Sequence, residues 1–86
     1  MKKDTDHTYI LTLTVRNRPG VLVRCAQVFG RRGHNIEALA VTADINNRSF
    51  SAMTITAYGA LETMNQIVAQ LTKLVDVTNV TEEETL

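Results

Sequence analysis

The chain has 86 residues, 44% apolar and 21% charged, which describes one small folded domain and excludes a disordered chain. Nine basic and nine acidic residues cancel, arguing against an electrostatically driven binder of nucleic acid or of an anionic membrane. One cysteine excludes an internal disulfide framework and a Cys-pair metal site. No apolar run reaches the ~18 residues of a membrane span, and no signal-peptide core follows the polar start, so the expected setting is the reducing cytoplasm.

Residues 1–7 read as a disordered N-terminal segment and 8–81 as the folded domain. From Thr8 to Arg16, Tyr9, Leu11, Leu13 and Val15 alternate with Ile10, Thr12 and Thr14, a strand with one apolar and one Thr-rich face. Asn17-Arg18-Pro19-Gly20 punctuates the chain. Pro19 suits a first helical turn, which predicts a helix start there with Gly20 inside that turn. Val21, Leu22, Cys25, Val28 and Phe29 then fall at helical spacing, a helix of about four turns that Gly30 weakens and a left-handed Gly33 stops.

Residues 35–43 read as a second strand with Ile36, Ala38, Ala40 and Thr42 on one face and Glu37, Leu39, Val41 and Ala43 on the other. Asn46-Asn47 marks a hairpin turn, and Ser49–Tyr58 a third strand, which Gly59 ends. Leu61, Met64, Ile67, Val68, Leu71 and Leu74 share one face of a second helix. Val75–Val80 forms a short last strand, and 82–86 reads as a solvated acidic tail. The order βαββαβ predicts an α+β, ferredoxin-like domain: four antiparallel strands with both helices on one face. A chain this small, without disulfide or metal, gains from the extra burial of a homodimer.

Few residues suggest chemistry. A helix start at Pro19-Gly20 offers backbone N–H groups to a carboxylate, and Asn17 and Asn35 are either turn residues or polar contacts to a ligand. Cys25 lies on the apolar stripe and reads as a core residue. His34 has only His7 as a fellow metal ligand, too few for a site. Arg16, Arg18, Arg24, Arg31 and Arg32 fall in a stretch without acids, which is either a solvated face or a dock for an acidic partner. The third strand offers Phe50 and terminal Tyr58 but not the Gly- and aromatic-rich consensus of a base-stacking surface, against an RNA-binding sheet. A Gly-rich phosphate cradle is missing too, against an acylphosphatase-like enzyme.

Val15-Arg16-Asn17-Arg18-Pro19-Gly20-Val21-Leu22, then Phe29-Gly30-Arg31-Arg32-Gly33-His34-Asn35-Ile36-Glu37, resembles the ACT domain of the acetolactate synthase (acetohydroxyacid synthase) small regulatory subunit. Gln70-Leu71-Thr72-Lys73-Leu74-Val75-Asp76-Val77 resembles the end of that subunit's second helix. The resemblance implies a non-catalytic subunit that activates a catalytic large subunit and confers feedback inhibition by branched-chain amino acids, chiefly valine. Thiamine diphosphate, Mg²⁺ and FAD are then expected on the large subunit and no cofactor on this chain. It also implies an effector site between two ACT domains, with Asn17, Pro19, Gly20, Val21 and Leu22 from one chain and Asn35 and Ile36 from the other. The alternative is a free-standing ACT-domain amino-acid sensor with a different target. Many family members continue past the position of Leu86 into a second domain.

Overall fold

In the computed structural model, residues 6–85 are described, and the expected disorder of residues 1–5 lies outside that range. The elements are β1 (Asp6–Arg16), α1 (Val21–Arg31), β2 (Ile36–Ala43), β3 (Phe50–Ala60), α2 (Leu61–Thr72) and β4 (Val77–Thr85). They form one antiparallel sheet in the order β2-β3-β1-β4, the ferredoxin-like arrangement that the βαββαβ pattern predicts. Alternation in β1 and β3 sends Tyr9, Leu11, Leu13, Val15, Met53, Ile55 and Ala57 to the helix side, where all are buried. Val21, Cys25, Val28 and Phe29 of α1 and Met64, Ile67 and Leu71 of α2 close the core. Burying each large apolar side chain stabilises the fold by about 1.5–3 kcal/mol. Ile10, Thr12, Thr14 and Thr54 lie on the other, helix-free face.

Several boundaries differ from the expectation. Asp6 and His7 belong to β1, opposite Ala60 and Gly59. The acidic run is strand rather than a solvated tail: Glu82, Glu83 and Glu84 pair with Leu11, Ile10 and Tyr9. A long β1 supplies the ladder partners, and backbone hydrogen bonding outweighs the weak strand propensity of Glu. Helix α1 has 11 residues, nearer three turns than four. It ends where Gly33, at φ 64°, lets the N–H of Gly33 bond Gly30 O and the N–H of His34 bond Phe29 O. In α2, Leu61 at the start is exposed and Leu74 lies beyond the last turn.

Strand β2 departs from simple alternation. Ile36 opposes Ala57 and Ala38 opposes Thr56, so Glu37 is an extra residue in a β-bulge. The bulge flips the parity of what precedes it. Ile36 therefore shares the helix-side face with Leu39 and Val41, not the open face with Ala38, Ala40 and Thr42, and it packs against the core.

Gly59 does not end β3, because it pairs with His7 inside the strand. Its missing side chain makes room for the His34 ring: a Cβ there would stand 2.5 Å from His34 Cε1. Gly59→Ala is therefore expected to destabilise the domain by about 1–3 kcal/mol, the usual cost of overpacking. That lowers Tm by about 4–8 °C per kcal/mol in a domain of this size. Thermal unfolding followed by circular dichroism measures it. Adding His34→Ala removes the clash and is expected to recover most of the loss.

Candidate functional site

The segment joining β1 to α1 and the first turn of α1 together carry five of the seven expected effector residues. Asn17 fastens the segment to the β2–β3 hairpin: its N–H donates to Ser49 O at 2.8 Å and its Nδ2 to Arg48 O at 3.0 Å. An amide committed through its nitrogen still offers its oxygen to an ammonium group. The N–H of Val21 reaches Arg18 O at 3.4 Å, and Gly20 has φ 85° and ψ −10°. With Pro19 second and a left-handed glycine third, residues 18–21 form a type II turn. The expectation that Gly20 lies within the first helical turn is thus corrected. Gly20 is the left-handed residue before the helix, and α1 begins at Val21. Pro-Gly is the standard pair for the two central positions of that turn, a signal already present in the sequence. No side chain caps α1 and its first turn holds no acid, so the N–H groups of that turn face the loop without a charged partner from their own helix.

Beside this turn is a shallow depression of about 70 Å³ lined by Asn17, Arg18, Val21, Leu22, Val41, Ser51 and Met53, among others. The depression is shallow and open to solvent, so one chain encloses a small ligand on one side only. Its surroundings are apolar and uncovered: Leu22, Val23, Leu39 and Val41 are each 42–57% exposed.

Asn35 and Ile36 are not brought to this depression. Asn35 stands just before β2, its Nδ2 bonded to Glu37 Oε2 at 3.2 Å, and Ile36 packs on the core. At ~3.3 Å per residue, the length of β2 puts roughly 20 Å between them and the hairpin end that Asn17 holds. Within one chain, the two halves of the expected site lie at opposite ends of one edge strand. Val41, Ser51 and Met53 also line the depression, and the sequence reading missed them because they read as ordinary strand residues.

The arginine-rich stretch divides into separate contacts. Arg24 Nη2 donates to Asp76 Oδ2 at 2.6 Å, and Arg18 Nη1 lies 3.7 Å from Asp76 Oδ1. Arg16 lies over the Phe50 ring at 5.8 Å, and Arg32 donates to Gln66 Oε1 at 2.8 Å. Arg31 and Arg32 line a separate cavity of about 260 Å³ with Val28 and Gln70, between α1 and α2. Burial pushes the Cys25 thiol up, so it is a neutral core side chain. Among the described residues, no three His, Cys, Asp or Glu side chains group to hold a metal ion, and no helix is long and apolar enough to cross a membrane.

The four-stranded antiparallel sheet with two helices is the fold of an ACT domain. A solution structure of the ACT domain from Chlorobium tepidum GTP pyrophosphokinase has the same fold, with a TM-score of 0.76 over 95% of this chain and 91% of that one, at 14% identity. Residues 11–79 match the family described as the AHAS small subunit-like ACT domain, and the chain belongs to that family. It is 43% identical over 77 residues to the acetolactate synthase small subunit of Mycobacterium leprae, covering 90% of this chain and 45% of that one. The crystal structure of the acetolactate synthase small subunit from Thermotoga maritima matches with a TM-score of 0.77 and 35% identity, over 87% of this chain and 46% of that one. The chain spans about half the length of the curated relatives it matches.

Proposed function

We propose that this chain is a regulatory, non-catalytic subunit of acetolactate synthase that activates a catalytic large subunit and binds valine or another branched-chain amino acid between two copies of itself. Thiamine diphosphate, Mg²⁺ and FAD then reside on the large subunit. The observation that carries the reading is the half-built depression beside Asn17, Val21 and Leu22, opening onto an uncovered apolar patch and an unpaired edge strand. An unpaired edge with apolar neighbours is a template for another strand. Two β2 edges paired antiparallel about their middles would set Asn35 and Ile36 of one copy beside Ala43 and Asp44 of the other, the end nearest Asn17. The partner then supplies what one chain keeps apart. Such a site has N–H donors for a carboxylate at the start of α1, amide and carbonyl oxygens for an ammonium, and Val21, Leu22 and Ile36 for an aliphatic side chain.

Feedback control needs about 4–8 kcal/mol, millimolar to micromolar affinity. Ligand at 100 times its dissociation constant adds about 2.7 kcal/mol to the state that binds it. Valine, leucine or isoleucine is therefore expected to raise Tm by several degrees, and lysine or glutamate is not. A thermal-shift titration tests binding, and acetolactate formation by a large subunit with and without this chain tests activation. A flat response to all three branched-chain amino acids overturns the effector site. Binding without any effect on a large subunit points instead to a free-standing amino-acid sensor.

A further inference from the structure

Among the described residues, the buried charge nearest the candidate turn comes from far along the chain. Asp76, in the connection between α2 and β4, is 4% exposed. A carboxylate so buried persists as a charge only when paired. Each polar group of Asp76 that takes part engages the same short segment. Its Oδ2 accepts from Arg24 Nη2 at 2.6 Å, its Oδ1 faces Arg18 Nη1 at 3.7 Å, and its backbone oxygen accepts the Arg16 N–H at 2.7 Å. These three arginines are the end of β1, the turn and the first stretch of α1, so they bracket Asn17, Pro19 and Gly20. The Arg24 guanidinium also reaches the turn itself, its Nη1 lying 3.8 Å from where a Gly20 Cβ would sit.

The segment is held from that side by Asp76. Its helix start lacks a capping side chain and an acid of its own. Asn17 ties the other side to Arg48 and Ser49. We infer that Asp76 is the positioning residue of the β1–α1 turn: its buried carboxylate, acting through Arg24 and Arg18, sets the pose in which Asn17, Gly20 and the first N–H groups of α1 meet a ligand. This rests on the effector reading above for its ligand, though not for its geometry. Asp76 joins the turn to the α2–β4 connection, so whatever shifts that connection also shifts the turn.

A buried ion pair that only stabilises would behave differently. Its loss would loosen the whole domain, and apolar replacements of such pairs are often neutral. A positioning pair is lost locally. The test is Asp76→Asn, with Arg24→Lys as the milder variant, which keeps the charge but loses the planar fork that spans Asp76 and the turn. Amide hydrogen exchange is followed by NMR, and valine affinity by calorimetry at a temperature where each variant is native by circular dichroism. Asp76→Asn is expected to speed exchange of the Val21 and Arg24 amides about tenfold or more relative to Ile67 and Leu71 in α2. It is also expected to weaken valine roughly tenfold to a hundredfold, the scale of one lost charged hydrogen bond. Arg24→Lys is expected to show the same pattern, smaller. Exchange that rises equally in α1 and α2, or does not rise, overturns the inference, as does local loosening with unchanged valine affinity. Should the unmutated protein bind no branched-chain amino acid, the effector reading fails, and the exchange measurement alone still decides whether Asp76 positions the turn.

Discussion

Gly20→Asp is expected to weaken amino-acid binding by about tenfold to a thousandfold while leaving the domain folded. The effector carboxylate, on the proposed reading, docks at the start of α1, and position 20 is the residue immediately before it. A second carboxylate at about 4 Å costs on the order of 4 kcal/mol at an effective dielectric of about 20, roughly a thousandfold. Arg24 Nη1, 3.8 Å from the new Cβ, offsets part of that charge and sets the lower end of the range. The backbone adds its own cost. Gly20 has φ 85°, and a side chain in that region costs about 1–2 kcal/mol, with Asp among the better tolerated residues. Tm is therefore expected to fall by about 4–16 °C. Gly20→Ala carries comparable backbone strain, and its Cβ meets only an ordinary contact. Calorimetry with valine on both variants separates the effects: binding kept in Gly20→Ala and lost in Gly20→Asp assigns the loss to charge. Binding kept in both removes the turn from the anion site. Binding lost in both makes turn shape the determinant.

The double variant Leu39→Glu/Val41→Glu is expected to convert the proposed dimer into a folded monomer. Both side chains are more than 40% exposed in a single chain, so replacing them costs the isolated domain little beyond the lower strand preference of Glu, within about 1 kcal/mol per site. In a dimer built on β2, each copy would bring two carboxylates into an apolar seam with no partner. Uncompensated burial of a charge costs several kcal/mol, so association is expected to weaken at least about a hundredfold. Sedimentation at tens of micromolar checks this, and valine affinity is expected to fall together with the dimer. A dimer that survives both charges places the interface elsewhere, and with it the second half of the site.

The parts of this molecule that are readable from neighbouring residues are those whose physics is local. Period-two alternation from Tyr9 to Val15 placed β1 and its buried face, and the stripe of Met64, Ile67 and Leu71 placed the inner face of α2. Gly33 was readable as a left-handed stop because a helix end calls for that conformation within a few residues. Misreadings arose where two local signals compete. Pro19 suits both a first helical turn and a type II turn, and Gly20 following it favours the second. Gly59 looks like a breaker until the His34 ring, 25 positions away, is seen to occupy its missing side chain's space.

The rest depended on contacts between distant segments. The bulge at Glu37 moves Ile36 to the helix side, and only the register against Ala57 and Thr56 reveals it. The strand identity of Glu82 to Glu84 comes from a ladder with β1, not from their own preference. Asp76 lies 52 positions from Arg24, and nothing in the residues flanking either one specifies the pairing. The seven expected effector residues come from the family resemblance of two short motifs. The structure leaves them at two ends of one edge strand, because a strand separates its ends by its own length. Alternation, helix spacing and turn residues are written in the chain over a few positions. The pose of the β1–α1 turn and the incomplete depression beside it are consequences of packing, where a buried charge must find its partner wherever the fold brings one.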